Sequence, residues 1–251
     1  QNNTFQTGTI GNQYLVRTKS PVSATITGNT FAGQTTLAGQ TNLLWIFSQP
    51  QSVTVSDNIF ELAGANNGPG SLYDSRGINA NLDSATMSIT GNTFRTVTSD
   101  PAVYTILELR NQQSDGSTTV SNNILEASVG GSAVTSVSKG FFIGDASPVI
   151  TNNVIVRRDG GSDAFRAFQV APGVGSATTS TAPVIDNNTI VYQNTGSSDF
   201  KAFYLYGDGD DDIAPIIRNN LIANTTGTTV GVGVEQDSQS ALTESAPATF
   251  Q

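Results

Sequence analysis

The chain has neither cysteine nor histidine. Without cysteine there is no disulfide, no zinc–thiolate site and no thiol nucleophile. Without histidine, imidazole metal sites and every Ser–His or Cys–His catalytic arrangement are excluded. Charge is scarce as well. Only 12% of the 251 residues are charged, about half the usual share. The net charge is −9, which argues against the basic stripe that a nucleic-acid partner requires. No run of 18 apolar residues offers a membrane-spanning helix, so no membrane insertion is expected. Helical periodicity never persists beyond a turn or two. What remains is rich in Asn, Thr, Ser, Gly and Val, with the apolar residues in short β-branched runs. That composition fits a β protein with many turns.

The residues present repeat. ITGNTF stands at 26–31 and again at 89–94. Looser copies are VSDNIF (55–60), VSNNIL (120–125), ITNNVI (150–155), IDNNTI (185–190) and IRNNLI (217–222), with QNNTF at 1–5 as the end of one more. The shared Asn falls at Asn3, Asn29, Asn58, Asn92, Asn123, Asn153, Asn188 and Asn220, at spacings of 26, 29, 34, 31, 30, 35 and 32. A period in this range marks a solenoid. Strand alternation turns the residue two places after each Asn inward, giving a core column of Phe31, Phe60, Phe94, Leu125, Ile155, Ile190 and Ile222. Asn tolerates the left-handed backbone of a sharp bend, and stacked Asn amides can donate and accept along a column.

A second apolar segment lies roughly 12–20 residues beyond each Asn. Its copies are Leu44–Phe47, Ile78–Asn81, Leu107–Arg110, Phe141–Gly144, Phe168–Ala171, Phe203–Tyr206 and Val232–Glu235. Positions one and three are apolar or small and face the core, while positions two and four face out. Variable Gly/Ser/Asp loops at 64–75, 171–183 and 207–215 absorb the differences in length. The expectation is one all-β domain over 1–251, a parallel solenoid of about eight coils with three strands each. Its core would be about 38 Å long. Both ends fall within a repeat, so a module of a longer protein, or a unit that stacks end to end, is expected.

The N-N-x-I/F bends, the Asn column and the coil of about 30 residues resemble the right-handed parallel β-helix superfamily, the pectate-lyase-like fold. The resemblance covers essentially the whole chain. It implies right-handed coiling, in keeping with the crossover rule for parallel strands. It also implies that the Asn column lies between the second and third strands of each coil, which makes the Leu44/Phe141/Phe203 series the first strand. The outer face of that first sheet is where polysaccharide-active members carry their sites.

On that face the sequence places Trp45, Phe47, Phe142, Tyr204 and Tyr206, a candidate ligand-binding surface for a glycan or a protein partner. Glu108 and Arg110 share the face and are the candidate catalytic pair of a lyase, with Asp145 or Asp208 as further candidates. An ordinary ion pair is the plain alternative. Asn79 and Phe142 flank Glu108, so no carboxylate cluster forms around it. Arg76, Lys139, Arg166 and Lys201 each stand two residues before the inward apolar position. They would form a basic ridge, able to bind an acidic polysaccharide or to pair with Asp74, Asp163 and Asp199. Asp208, Asp210 and Asp212 could supply oxygen ligands to Ca²⁺, with a solvated turn as the plain reading; no other cofactor is expected.

Fold alone does not give function. The leading expectation is an extracellular, bacterial cell-surface module, structural or adhesive, that binds through its faces or associates end to end. The alternatives are a polysaccharide lyase or hydrolase and a phage tailspike fragment, the last requiring a trimer.

Overall fold

In the computed structural model, the described residues are 2–6, 14–19, 22–32, 41–47, 51–62, 75–83, 86–96, 103–112, 116–128, 139–159, 165–171, 181–194, 200–206, 213–224, 234–236 and 249–250. They form three parallel sheets of eight strands each, with no helix among them. Sheet A contains Thr4–Gln6, Thr30–Ala32, Ile59–Leu62, Thr93–Thr96, Ile124–Ser128, Val154–Asp159, Thr189–Asn194 and Leu221–Asn224. Sheet B contains Tyr14–Lys19, Thr41–Phe47, Ser75–Asp83, Val103–Gln112, Lys139–Gly144, Phe165–Ala171, Phe200–Leu205 and Val234–Gln236. Sheet C contains Ser23–Thr27, Ser52–Ser56, Thr86–Thr90, Ser117–Ser121, Val149–Thr151, Val184–Asp186, Ile216–Arg218 and Thr249–Phe250. The chain runs B, C, A in every coil, and each strand pairs with its equivalent one coil away. The molecule is a parallel β-solenoid.

The bend from sheet C to sheet A repeats in chemical detail. One residue there takes a left-handed backbone: Gly28, Asp57, Gly91, Asn122, Asn152, Asn187 and Asn219, with φ between 53° and 68°. These residue types tolerate that conformation best. The next residue is the recurring Asn, and its side chain turns inward. Its Nδ2 donates to the Oδ1 of the Asn in the following coil: Asn29 to Asn58 at 3.2 Å, Asn58 to Asn92 and Asn92 to Asn123 at 3.0 Å, and Asn123 to Asn153 at 2.9 Å. The same Oδ1 also accepts the backbone N–H of the preceding Asn. The ladder runs from Asn3 through Asn153 and Asn188 to Asn220. Thus the left-handed turn and the amide ladder belong to two adjacent residues, not to the Asn column alone.

Below the ladder the core stacks ring on ring. Phe5, Phe31, Phe60 and Phe94 are parallel, with centroids 4.7–5.2 Å apart. Leu125, Ile155 and Ile190 continue the column fully buried. Ile222, expected inward with them, is 37% exposed on the last strand of sheet A, where no further strand of that sheet covers it among the described residues. Phe141, Phe168 and Phe203 stack similarly beneath sheet B.

Candidate functional face

Parallel pairing carries equivalent residues of successive coils into columns across the outer face of sheet B. The central column reads Arg17, Trp45, Asn79, Glu108, Phe142, Gln169, Tyr204, Glu235. A second column includes Lys19 beside Phe47, and Asn81, Arg110, Gly144 and Ala171 in turn. A third reads Asn42, Arg76, Thr105, Lys139, Arg166, Lys201. The positions of the expected basic ridge are therefore in register, with Thr105 interrupting them, but Lys139 is buried while Arg166 and Lys201 are partly exposed.

Two register findings differ from the sequence reading. The strand Tyr14–Lys19 adds a coil to sheet B and brings Arg17 and Lys19 onto the face. In the last coil, Phe203 pairs with Val234 and Tyr204 with Glu235. The expected partner of Phe203 was Val232. A slip of two residues keeps the same side chains on the same face, so alternation alone does not distinguish the two registers.

Trp45, Phe47, Tyr204 and Tyr206 are all partly exposed. Phe142 is not: it is 8% exposed, a correction to its expected place on an open binding surface. The cause is local. Its ring lies over Gly144, so close that a Cβ there would stand 2.9 Å from Phe142 Cε1. Arg110 and Lys139 lie 4.4 and 5.3 Å from the ring centroid. Lys139 itself is buried, 3% exposed.

The other rings are also engaged. Trp45 and Phe47 stack on each other at 4.6 Å. Arg17 reaches over both, 4.8 Å from the Trp45 centroid and 4.0 Å from that of Phe47. Tyr204 and Tyr206 lie 6.4 Å apart with nearly parallel planes. Arg166 covers Tyr204 at 3.9 Å and donates from Nη1 to Gln169 Oε1 at 3.2 Å. The face is an interleaved array of cations and rings.

Glu108 and Arg110 come together as their spacing implies, with Nε to Oε1 at 2.5 Å. Glu108 is buried, however, at 2% exposed, so this is not an ordinary surface pair. Asp145 lies in the turn after Lys139–Gly144, buried, with φ of 49° and its N–H donating to Thr181 Oγ1. That geometry is a turn role. No group of three or more acidic residues able to hold a metal is found among the described residues. Asp208, Asp210 and Asp212 lie outside the described residues, as do Asp74, Asp163 and Asp199.

Charge is segregated in a way the sequence alone did not reveal. The described strands of sheet B carry seven of the chain's eleven Lys and Arg residues but only three of its twenty acidic ones, Asp83, Glu108 and Glu235. On sheet C, by contrast, the outer positions of the first four coils are all Ser or Thr, and their hydroxyls pair along the axis, as in Thr27 with Ser56 at 2.9 Å. Sheet A adds one charged column, Glu61, Arg95, Glu126, in which Arg95 pairs with Glu61. No helix among the described residues is long and apolar enough to cross a membrane. No protein-family model, curated protein or solved structure matches the chain.

Proposed function

We propose that the chain is a rigid module of an extracellular structural or adhesive protein, of the right-handed parallel β-helix kind, and that the outer face of sheet B holds an acidic glycan. One observation carries the reading: a strongly acidic chain carries seven of its eleven Lys and Arg residues on the strands of one sheet, and Arg17, Arg110 and Arg166 lie there against aromatic rings. A focused positive strip attracts a polyanion even when the molecule's net charge is negative. The solenoid keeps the columns in fixed spacing, so little ordering cost falls on the protein when a partner docks. The test is binding of the folded chain to immobilised acidic and neutral polysaccharides, followed by charge reversal of Lys19 and Lys201, both on the face. Retention on acidic polymers, lost in Lys19→Glu/Lys201→Glu, supports the reading. Equal retention by that variant would defeat it.

The pairing of buried Glu108 with half-buried Arg110 supports a second reading, a polysaccharide lyase in which the carboxylate removes a proton and the guanidinium offsets the substrate's charge. Formation of unsaturated products, abolished in Glu108→Gln, would put that reading first.

A further inference from the structure

The rings of sheet B look like sugar platforms in sequence, but Trp45, Phe47, Phe142 and Tyr204 each already lie against a cation. Arg17 lies over Trp45 and Phe47, Arg110 and Lys139 over Phe142, and Arg166 over Tyr204. Trp45 and Phe47 also cover each other. A sugar ring stacking on these faces would have to displace a cation from each.

We propose that these aromatic residues are supports that hold guanidinium groups in place, and that a polyanionic glycan is recognised through those groups rather than by stacking on the rings. The inference rests on the glycan-binding reading above. Its physical basis is the shape of arginine. A guanidinium can rest on a ring and still donate from its edge, in a planar fork that matches a carboxylate or sulfate. A ring that fixes the side chain beforehand reduces the ordering cost of each contact.

Two of the supported guanidinium groups, Arg17 and Arg166, stand at separate places along the axis. Arg17 belongs to Tyr14–Lys19 and Arg166 to Phe165–Ala171, five coils along the axis, about 24 Å at ~4.8 Å per coil. Between them Arg110 is paired with Glu108, and Glu108 and Phe142 are buried. The partner is therefore gripped at two places. An oligomer long enough to span them gains from the second contact, whereas a shorter one does not.

The experiment is calorimetric titration of the folded chain with polygalacturonate and with its fully methyl-esterified, neutral form. The expected result is binding of the acid form, weakened by salt, and at least tenfold weaker binding of the ester. Trp45→Leu and Tyr204→Leu should each weaken the acid form roughly two- to fivefold, the scale of an exposed cation–ring contact. Trp45→Phe and Tyr204→Phe should retain it, because they keep a supporting ring. Arg17→Lys, which leaves the core untouched, should weaken it similarly, because it keeps the charge but loses the fork. Unchanged circular dichroism confirms that each variant is folded. If the ester binds as well as the acid and Trp45→Leu abolishes both, the rings touch sugar directly; the inference then falls while the glycan reading stands. If neither polymer binds, the glycan reading itself fails and the inference with it.

Discussion

At the bend between sheets C and A, an asparagine recurs in every coil. On the outer face of sheet B, no two consecutive coils carry the same residue in any of the three columns. Both regions sit on the same stacked backbone, so the difference lies in what each column answers to. The bend answers to itself. Each amide is the partner of the next, and an identical residue in every coil gives each neighbour both the donor and the acceptor it needs. The face of sheet B is under no such constraint, and its changing side chains are free to match something outside the coil. Changes at the bend should therefore reach stability and spare binding, while changes on the face should do the reverse.

The strongest way to break this comparison is Asn123→Ala. Asn123 Oδ1 accepts both the N–H and the Nδ2 of Asn92, and its own Nδ2 reaches Asn153 and two backbone carbonyls. Alanine leaves the buried Asn92 N–H without its acceptor and removes the donor to those carbonyls. A loss of about 3 kcal/mol is expected, which lowers Tm by roughly 6–12 °C for a chain of this size. The same change at the exposed Asn3 should cost far less. Thermal melting followed by circular dichroism reads both. Equal melting of the two variants would mean that the ladder is not what holds the bend.

A smaller effect separates the two residues of the bend. Gly91 has φ of 68°, and a Cβ there would stand 2.5 Å from Asp57 Oδ1. Gly91→Val is expected to cost about 2 kcal/mol, since a β-branched residue is strained in the left-handed region and Asp57 must also move. Gly91→Asn should cost about 1 kcal/mol or less, because Asn122 already fills the equivalent place one coil along. Urea unfolding of the two variants gives the ranking. The reverse order would show that space rather than backbone conformation governs the position.

The same contrast explains what could be read in advance. All eight ladder residues were legible, because an amide column forces one residue type into a fixed period. The stacked Phe31, Phe60 and Phe94 were legible for the same reason. The strand Tyr14–Lys19 escaped because its third position is Thr18, where other coils carry an apolar or small residue, although Val16-Arg17-Thr18-Lys19 stands at the right distance from Asn3. The register of the last coil slipped because Val232 and Val234 alternate alike. Which bend residue is left-handed was hidden by two adjacent small or polar positions that both tolerate it. The burial of Phe142 was beyond periodicity altogether. It depends on Gly144 and Lys139 of its own strand packing against the ring, which strand alternation does not show, and on Arg110, which only the coil-to-coil register brings there. The candidate face was thus legible as a set of outward positions, but not as a set of cation–ring pairs.

The smallest expected effect is on the outer face of sheet A, and it sharpens the comparison by supplying a charged column that does neither job. Glu61, Arg95 and Glu126 stand in register, and Arg95 pairs with Glu61 while remaining well exposed. Water already solvates such a pair, and holding two long side chains in one geometry opposes the Coulomb gain. Arg95→Ala should change stability by less than about 1 kcal/mol. It should leave polygalacturonate binding unchanged, because this column lies on a different sheet from the ring-supported guanidinium groups. If Arg95→Ala weakened binding as much as Arg17→Lys, attraction to the polymer would come from scattered cations at large. The segregation of charge onto sheet B would then carry no recognition.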